Sequence, residues 1–289
     1  MAKPVPVLQL NQFQVPATLH PHFYVQRLNE HLAHFEFIQK AHRHDFYCLF
    51  LFTRGTGKHI IDFESYEVVP GSMFFMSPAQ MHSWQLSDDT DGYVIFFNSE
   101  FYFLNHTYKS LTDFPFFHYT STPAVLLSGQ GKEAIGDLFA RIYQEYRGAE
   151  QRKDEVICSY LHILLIKLAN AYTQSNKPAF SSHLLDQIRK LESLIEKHYL
   201  QHRSVEEYAS WMHLSVKQLY TICQVARQKS LSALLQERII LEAKRLLVHT
   251  ELSVAQVAAQ LNYTDNSYFS RYFKKATGQT PELFRQQYR

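Results

Sequence analysis

The stretch from Ser253 to Pro281 constrains the chain most. Ser253 precedes Val254, Val257, Ala258 and Leu261, apolar residues three or four apart that make one helical stripe. Gln256 stands three residues after Ser253, the spacing at which an N-cap serine and a glutamine exchange hydrogen bonds. Asn262 and Tyr263 interrupt the pattern, and Thr264 or Asp265 then caps a second helix. That helix carries Phe269, Tyr272 and Phe273 on one face and Asn266, Ser267, Ser270, Arg271 and Lys274 on the other. Gly278 fits a left-handed helix stop, and Thr280-Pro281 starts another helix, since proline is favoured at the first helical position. Two short helices around a tight turn, the second polar and basic outward, describe a helix-turn-helix; a plain helical hairpin with a solvated charged face shares the pattern.

The residues go further than the pattern. Tyr263, Tyr268-Phe269-Ser270-Arg271, Phe273-Lys274-Lys275, Gly278 and Thr280-Pro281 resemble the C-terminal signature of the AraC-type family of bacterial transcription regulators, with Asn262 where that family usually has glycine. A near-repeat lies forty-nine positions earlier: Ser204, Val205 and Glu207 match Ser253, Val254 and Gln256, and Tyr208, Ala209 and Met212 match Val257, Ala258 and Leu261. Leu219 then corresponds to Phe269 and Thr221 to Arg271. Two helix-turn-helix units follow, joined by Leu231 to Val248, 18 residues or about 27 Å of helix. Such a strut suits two recognition helices about 34 Å apart, one turn of DNA. The resemblance implies that Lys217, Gln218, Tyr220 and Thr221 of the first unit, and Asn266, Ser267, Ser270, Arg271 and Lys274 of the second, face double-stranded operator DNA. The first unit departs from the pattern: Cys223-Gln224 replaces Phe273-Lys274, Gln228 replaces Gly278, and the guanine-reading arginine fork is missing.

Charge agrees with this assignment. Residues 1–180 hold 14 Lys and Arg against 17 Asp and Glu, a net of −3; residues 181–289 hold 15 against 10, a net of +5. The basic half is the one with the helix-turn-helix pattern, as phosphate attraction requires. A length of 289 residues with 46% hydrophobic composition suits about two folded domains. No membrane span or signal peptide is expected, and Cys48, Cys158 and Cys223, far apart, read as free thiols of a cytoplasmic protein.

The N-terminal half reads as β. Phe46 to Phe52 is a continuous apolar run, a buried strand; Arg54-Gly55-Thr56-Gly57 reads as a turn and Lys58 to Phe63 as the return strand of a hairpin. Tyr66–Val69, Met73–Met76, His82–Trp84 and Gly92–Phe97 follow between Gly and Pro turns, which suggests a sandwich or small barrel. The order His42-x-His44, Pro70-Gly71, Pro78-x-x-x-His82 resembles a cupin barrel over about residues 35–100. Metal cupins add a glutamate, and here that position falls on Cys48 or Leu49. Three imidazoles suit several transition metals; the missing carboxylate weighs against a tightly bound metal, so none is expected. In AraC-type proteins such barrels are generally effector sensors. His42, His44, His59, His82, Arg54 and Trp84 are therefore expected at the barrel mouth, in contact with a small organic effector.

Helices connect the halves. Ile135, Leu138, Phe139, Ile142 and Tyr146 recur at helical spacing, and Glu155 to Tyr172 is a stronger helix in which Ile163 and Ile166 lie outside the main stripe. Apolar surface on more than one side suggests a homodimer through this helix, as the family resemblance also implies. The expectation is an α+β chain: a cupin-like effector-binding barrel over 1–128, a helical dimerisation segment over 129–175, a linker over 176–182, and an all-α DNA-binding domain with two helix-turn-helix units over 183–289. Its function would be that of a ligand-responsive, sequence-specific transcription regulator, without enzymatic activity or cofactor. The resemblance implies RNA polymerase as a partner in transcription activation. A cupin metalloenzyme fused to a DNA-binding domain, and an adaptor with an empty barrel, are the alternatives.

Overall fold

The computed structural model describes residues 7–13, 22–35, 40–78, 80–103, 111, 114–117, 121–175, 182–201 and 204–288. The chain divides into two compact units, Pro6–Pro178 and Ala179–Arg289. The expected linker, residues 176–182, lies almost wholly outside the described residues.

Two five-stranded sheets build the first unit. One has the order β1-β3-β8-β5-β6, made of β1 (Val7–Leu8), β3 (His42–His44), β8 (Met81–Leu86), β5 (Gly57–Ile61) and β6 (Glu64–Val68). The other has the order β10-β7-β4-β9-β2, made of β10 (Ala124–Leu126), β7 (Ser72–Met76), β4 (Tyr47–Arg54), β9 (Asp91–Phe97) and β2 (Phe23–Arg27). Among the described residues no strand is shared between them, so they do not close into a barrel. β4 lies at the centre of the second sheet, antiparallel to β7 and to β9. Side chains alternate along a strand, so Leu49 and Leu51 join one core and Cys48, Phe50 and Phe52 another.

The expected hairpin after β4 is not formed. β4 and β5 belong to different sheets, and β5 pairs instead with β6 and β8. Gly55, at φ +89°, makes the crossing possible: a Cβ there would lie 2.4 Å from Thr90 Oγ1. The hairpin that does form joins β5 to β6 through Asp62 and Phe63, both at positive φ.

Helices α3 (Gly129–Arg147) and α4 (Lys153–Ser175) share a core with one face of the second sheet. Phe114, Phe116 and Phe117 belong to the same core, and Phe75 stacks on Phe116 at 4.0 Å. Contrary to the sequence reading, α4 is long and apolar enough to cross a membrane by length and composition. Its Ile157, Leu161, Leu164, Leu165 and Leu168 are nonetheless all buried in this core, which accounts for its apolar character.

The second unit is helical: α5 (Ser182–His198), α6 (Val205–Met212), α7 (Val216–Arg227), α8 (Leu231–His249), α9 (Val254–Gln260), α10 (Asn266–Thr277) and α11 (Pro281–Tyr288). Ser253 and Gln256 form the expected capping box, and Asp265 caps α10 by accepting from the Ser267 and Tyr268 amides. The box expected at Ser204 is absent, because the Ser204 hydroxyl donates to Glu206 Oε2 at 2.5 Å; the box lies one helix later, between Ser215 and Gln218. Asn262 adopts φ +61°, a left-handed conformation that asparagine tolerates better than most residues, and its side chain donates to Leu200 O at 3.3 Å. Gln228 reaches the left-handed stop of α7 without glycine, at φ +54°.

One buried cation ties the unit together. Arg238 of α8 donates from Nε and Nη2 to both oxygens of Glu196 on α5, at 2.8 and 2.9 Å, and from Nη1 to Glu242 at 3.1 Å. Its guanidinium lies 4.1 Å from the centre of the Tyr199 ring. The fork satisfies a carboxylate bidentately, which lysine cannot do. Arg238→Ala removes the fork and its packing and is expected to cost about 3 kcal/mol in the second unit, measured by urea unfolding.

Candidate functional site

The first unit holds four histidines between its sheets. Antiparallel pairing of β3 with β8 sets His42 directly opposite His82, and His44 follows two residues on, on the same face. Pairing of β5 with β8 sets His59 opposite Trp84 and Ile61 opposite His82. The rings meet: His59 Nε2 lies 2.8 Å from His82 Nδ1, and His82 Nε2 lies 3.2 Å from His44 Nε2. His42 Nδ1 donates to Lys40 O at 2.8 Å, and His44 Nδ1 lies 3.2 Å from Cys48 Sγ. The Nδ1 of His59 is buried with no hydrogen-bond partner among the described residues.

These histidines do not line an open mouth, as the sequence suggested. All four are at most 2% exposed. Phe46 stacks on His44 at 4.7 Å, Phe74 meets His59 at 4.6 Å and Phe50 meets His82 at 5.8 Å, so aromatic rings cover the cluster. Burial holds the imidazoles neutral, pushing His42 down to about 4 and His44, His59 and His82 well below the ordinary value. It also pushes the Cys48 thiol well up.

Trp84 has two roles. It stacks on His59 with ring centres 3.4 Å apart, and it lines a cavity of about 490 Å³. Asn29, Leu32, Gln85, Asp88 and Thr90 also line that cavity, a mixed apolar and polar set suited to a small organic molecule. Arg54 stands apart from the histidines: it is exposed, and its Nε donates to Asp89 O at 2.8 Å, beside the cavity wall.

In the second unit, Phe269 and Phe273 bury the inner face of α10. Its outer face leaves Asn266, Ser267, Arg271, Lys274 and Lys275 exposed, with Ser270 half-buried. Among the described residues Arg271 forms no ion pair. Arg271, Tyr268, Tyr272 and Lys275 line a depression of about 530 Å³ with Gln236. On α7, Lys217, Gln218, Tyr220 and Thr221 are likewise exposed. Two of them are already engaged: Gln218 Oε1 accepts from Ser215, and the Thr221 hydroxyl donates to Lys217 O at 3.0 Å.

Comparison with known proteins decides what these two units are. Residues 21–165 match the model of the AraC-like ligand-binding domain, and residues 208–287 match a helix-turn-helix domain. The chain belongs to the AraC family of transcription regulators. It is 26% identical over 255 residues to the HTH-type transcriptional activator RhaR of Cronobacter sakazakii, covering 86% of this chain and 87% of that protein. Against RhaR of Yersinia pseudotuberculosis it is 24% identical over 250 residues, covering 86% and 84%. Among solved structures, ToxT from Vibrio cholerae is 15% identical with a TM-score of 0.44, covering 91% of this chain and 98% of that one. This AraC-family chain is therefore a ligand-responsive, sequence-specific DNA-binding transcription regulator. The sequence reading missed the Gln218 and Thr221 engagements, although Ser215 three residues before Gln218 was the available signal.

His31 sharpens the acid sensitivity of the first unit. It is buried on α1 (Leu28–His34), within 2.8 Å of the Tyr24 hydroxyl and against Phe13 and Phe96. Burial, followed by the nearby His42 and His34, lowers it from 6.5 to about 3. Below pH 6.5 the unfolded chain takes up a proton that the folded chain refuses, so stability is complete above that value and lost as pH falls toward 3. Urea unfolding of the first unit should weaken steadily over this window, and His31→Gln should flatten the slope by about 1.4 kcal/mol per pH unit.

Proposed function

We propose that the regulator grips operator DNA through two unequal helix-turn-helix units, α6–α7 and α9–α10, spaced by α8. The observation that carries this is the contrast between α10 and α7. On α10, Arg271 is exposed without an ion-pair partner among the described residues, and Lys274 and Lys275 stand exposed beside it. Arginine can bond guanine O6 and N7 together, a sequence-specific contact, whereas lysine on phosphate gives affinity without sequence information. On α7, Gln218 and Thr221 have hydrogen bonds of their own, and Lys217 and Tyr220 remain for backbone contact. The 19 residues of α8, about 28 Å of helix, support the spacing of successive major grooves.

The effector is a small organic molecule that enters the cavity beside Trp84, with Arg54 steadying its rim through Asp89 and the buried His59 and His82 backing the indole. The protein acts by binding in the cytoplasm, without turnover, and recruits RNA polymerase as an activator, the sign carried in the names of its relatives. It does so as a homodimer. On α4, Val156, Ile163 and Ile166 form an exposed stripe, at 37%, 42% and 41%, opposite the buried face.

Operator selection with the purified protein should give strong base preference under α10 and weak preference under α7. Arg271→Ala should cost about 1–3 kcal/mol and relax one base position, while Lys274→Ala weakens all sequences alike and lowers the salt slope by about 1. Equal preference under both units, unchanged by Arg271→Ala, would sink this reading. Replacing Ile163 and Ile166 with lysine should turn the dimer into soluble monomers in sedimentation; an unmodified protein that is monomeric at micromolar concentration would remove the dimer.

A further inference from the structure

We propose that His42, His44 and His82 form an enclosed site for one divalent transition-metal ion of the zinc class. One nitrogen from each ring lies within 4.8 Å of the others. His44 Nε2 and His82 Nε2 are 3.2 Å apart, close to the edge of about 3.3 Å that a tetrahedral ion with metal–nitrogen bonds of about 2.0–2.1 Å requires.

The rear of each ring points the same way. His42 Nδ1 is held by Lys40 O, His44 Nδ1 faces Cys48 Sγ, and His82 Nδ1 faces His59 Nε2. Every Nδ1 is thus engaged, and the three Nε2 atoms are the ones left to converge. Ligating histidines are held in this manner, because a hydrogen bond from the second nitrogen fixes tautomer and ring orientation. Cys48 is then a supporting group behind His44 and not a ligand. The sequence reading set a metal aside for want of a carboxylate at Cys48 or Leu49; the tertiary structure brings the three imidazoles together and supplies the contacts behind them.

His59 sets which nitrogen of His82 carries its proton. With no ion bound, the 3.2 Å contact requires one proton between His82 Nε2 and His44 Nε2. Where His82 carries that proton, it accepts at Nδ1 from His59 Nε2, which leaves His59 Nδ1 a bare, buried acceptor, without a hydrogen-bond partner among the described residues. When the ion takes His82 Nε2, His82 carries its proton on Nδ1 and donates to His59 Nε2, and His59 carries its proton on Nδ1. Each ring holds one proton in both arrangements; the proton displaced from His82 Nε2 leaves to solvent and His59 takes one up at Nδ1, since no hydrogen bond links these two atoms. Three neutral ligands leave the ion's double charge uncancelled in an apolar interior, so the fourth position takes an anion, hydroxide or a small carboxylate.

The inference is independent of which organic molecule enters the cavity beside Trp84. The full-length protein, stripped with a chelator and dialysed, is titrated with cobalt chloride. One ion per chain with the visible bands of four-coordinate cobalt, displaced by one equivalent of zinc, is the expected result. His44→Gln and His82→Gln should each abolish the bands, His59→Gln should weaken binding by about 10–100-fold, and His34→Gln, an exposed site on α1, should leave it unchanged. Far-ultraviolet circular dichroism identifies any variant that fails to fold, and the unmodified protein gives the stoichiometry without one. Absence of stoichiometric cobalt and zinc binding by the unmodified protein would overturn the site, as would bands that survive in the folded His44→Gln and His82→Gln variants.

Discussion

The first unit depends on one strand buried on both sides. β4 sits in the middle of the second sheet, and its period-two alternation sends Leu49 and Leu51 toward α3 and α4 and sends Cys48, Phe50 and Phe52 toward the first sheet. A one-residue slip would exchange the two sets. It would carry Cys48 away from His44 and Phe50 away from His82, Trp84 and Phe96. The helical layer, the aromatic roof over the histidines and the placing of the cluster therefore follow from the register of this strand.

That register also gives the sensing unit two chemically different compartments that meet at Trp84. On one side of the indole the imidazoles are buried and neutral, with His59, His82 and His44 linked by hydrogen bonds. On the other the cavity is lined by Asn29, Gln85, Asp88 and Thr90, polar groups on α1, on β8 and on the turn after it. A ring stacked at 3.4 Å on His59 couples the two, since displacing the indole disturbs the contacts of His59 and His82. The segment Gly55 to Gly57 matters for the same reason: by crossing between sheets it sets β5, and hence His59, opposite β8.

The second unit obeys a different constraint. Each outward helix must be anchored by few apolar residues so that the rest of its surface stays free. Phe269 and Phe273 do this for α10, and Leu219, Ile222 and Cys223 for α7. α7 packs on α5, and α10 on α9 and α11, which pack on α8; Arg238 of α8 clamps Glu196 of α5, and Arg285 of α11 donates to Leu247 O near the end of α8 and to Leu252 O just beyond it. The stops differ in kind: Gly278 reaches the left-handed region freely, whereas Gln228 does so with a Cβ in place.

The sequence by itself determined the helices of the second unit and the family. Helical stripes, caps at Ser253 and Asp265 and the stop at Gly278 are local features, fixed within a few residues by backbone hydrogen bonding and sterics. It also showed most strands, because alternation and turn residues are local too. Which strand pairs with which was decided only in three dimensions. The run Phe46–Phe52 and the strand after it read as a hairpin, since nothing in Arg54-Gly55-Thr56-Gly57 distinguishes a return within a sheet from a crossing between sheets. The histidines were visible as residues, but their burial and the hydrogen bonds among His44, His59 and His82 arise from strand pairings between residues 21 to 40 positions apart in the chain. The Ser204 cap was lost to a neighbouring carboxylate and the Arg238–Glu196 clamp was unforeseen, because side chains choose partners from whatever packing brings within reach.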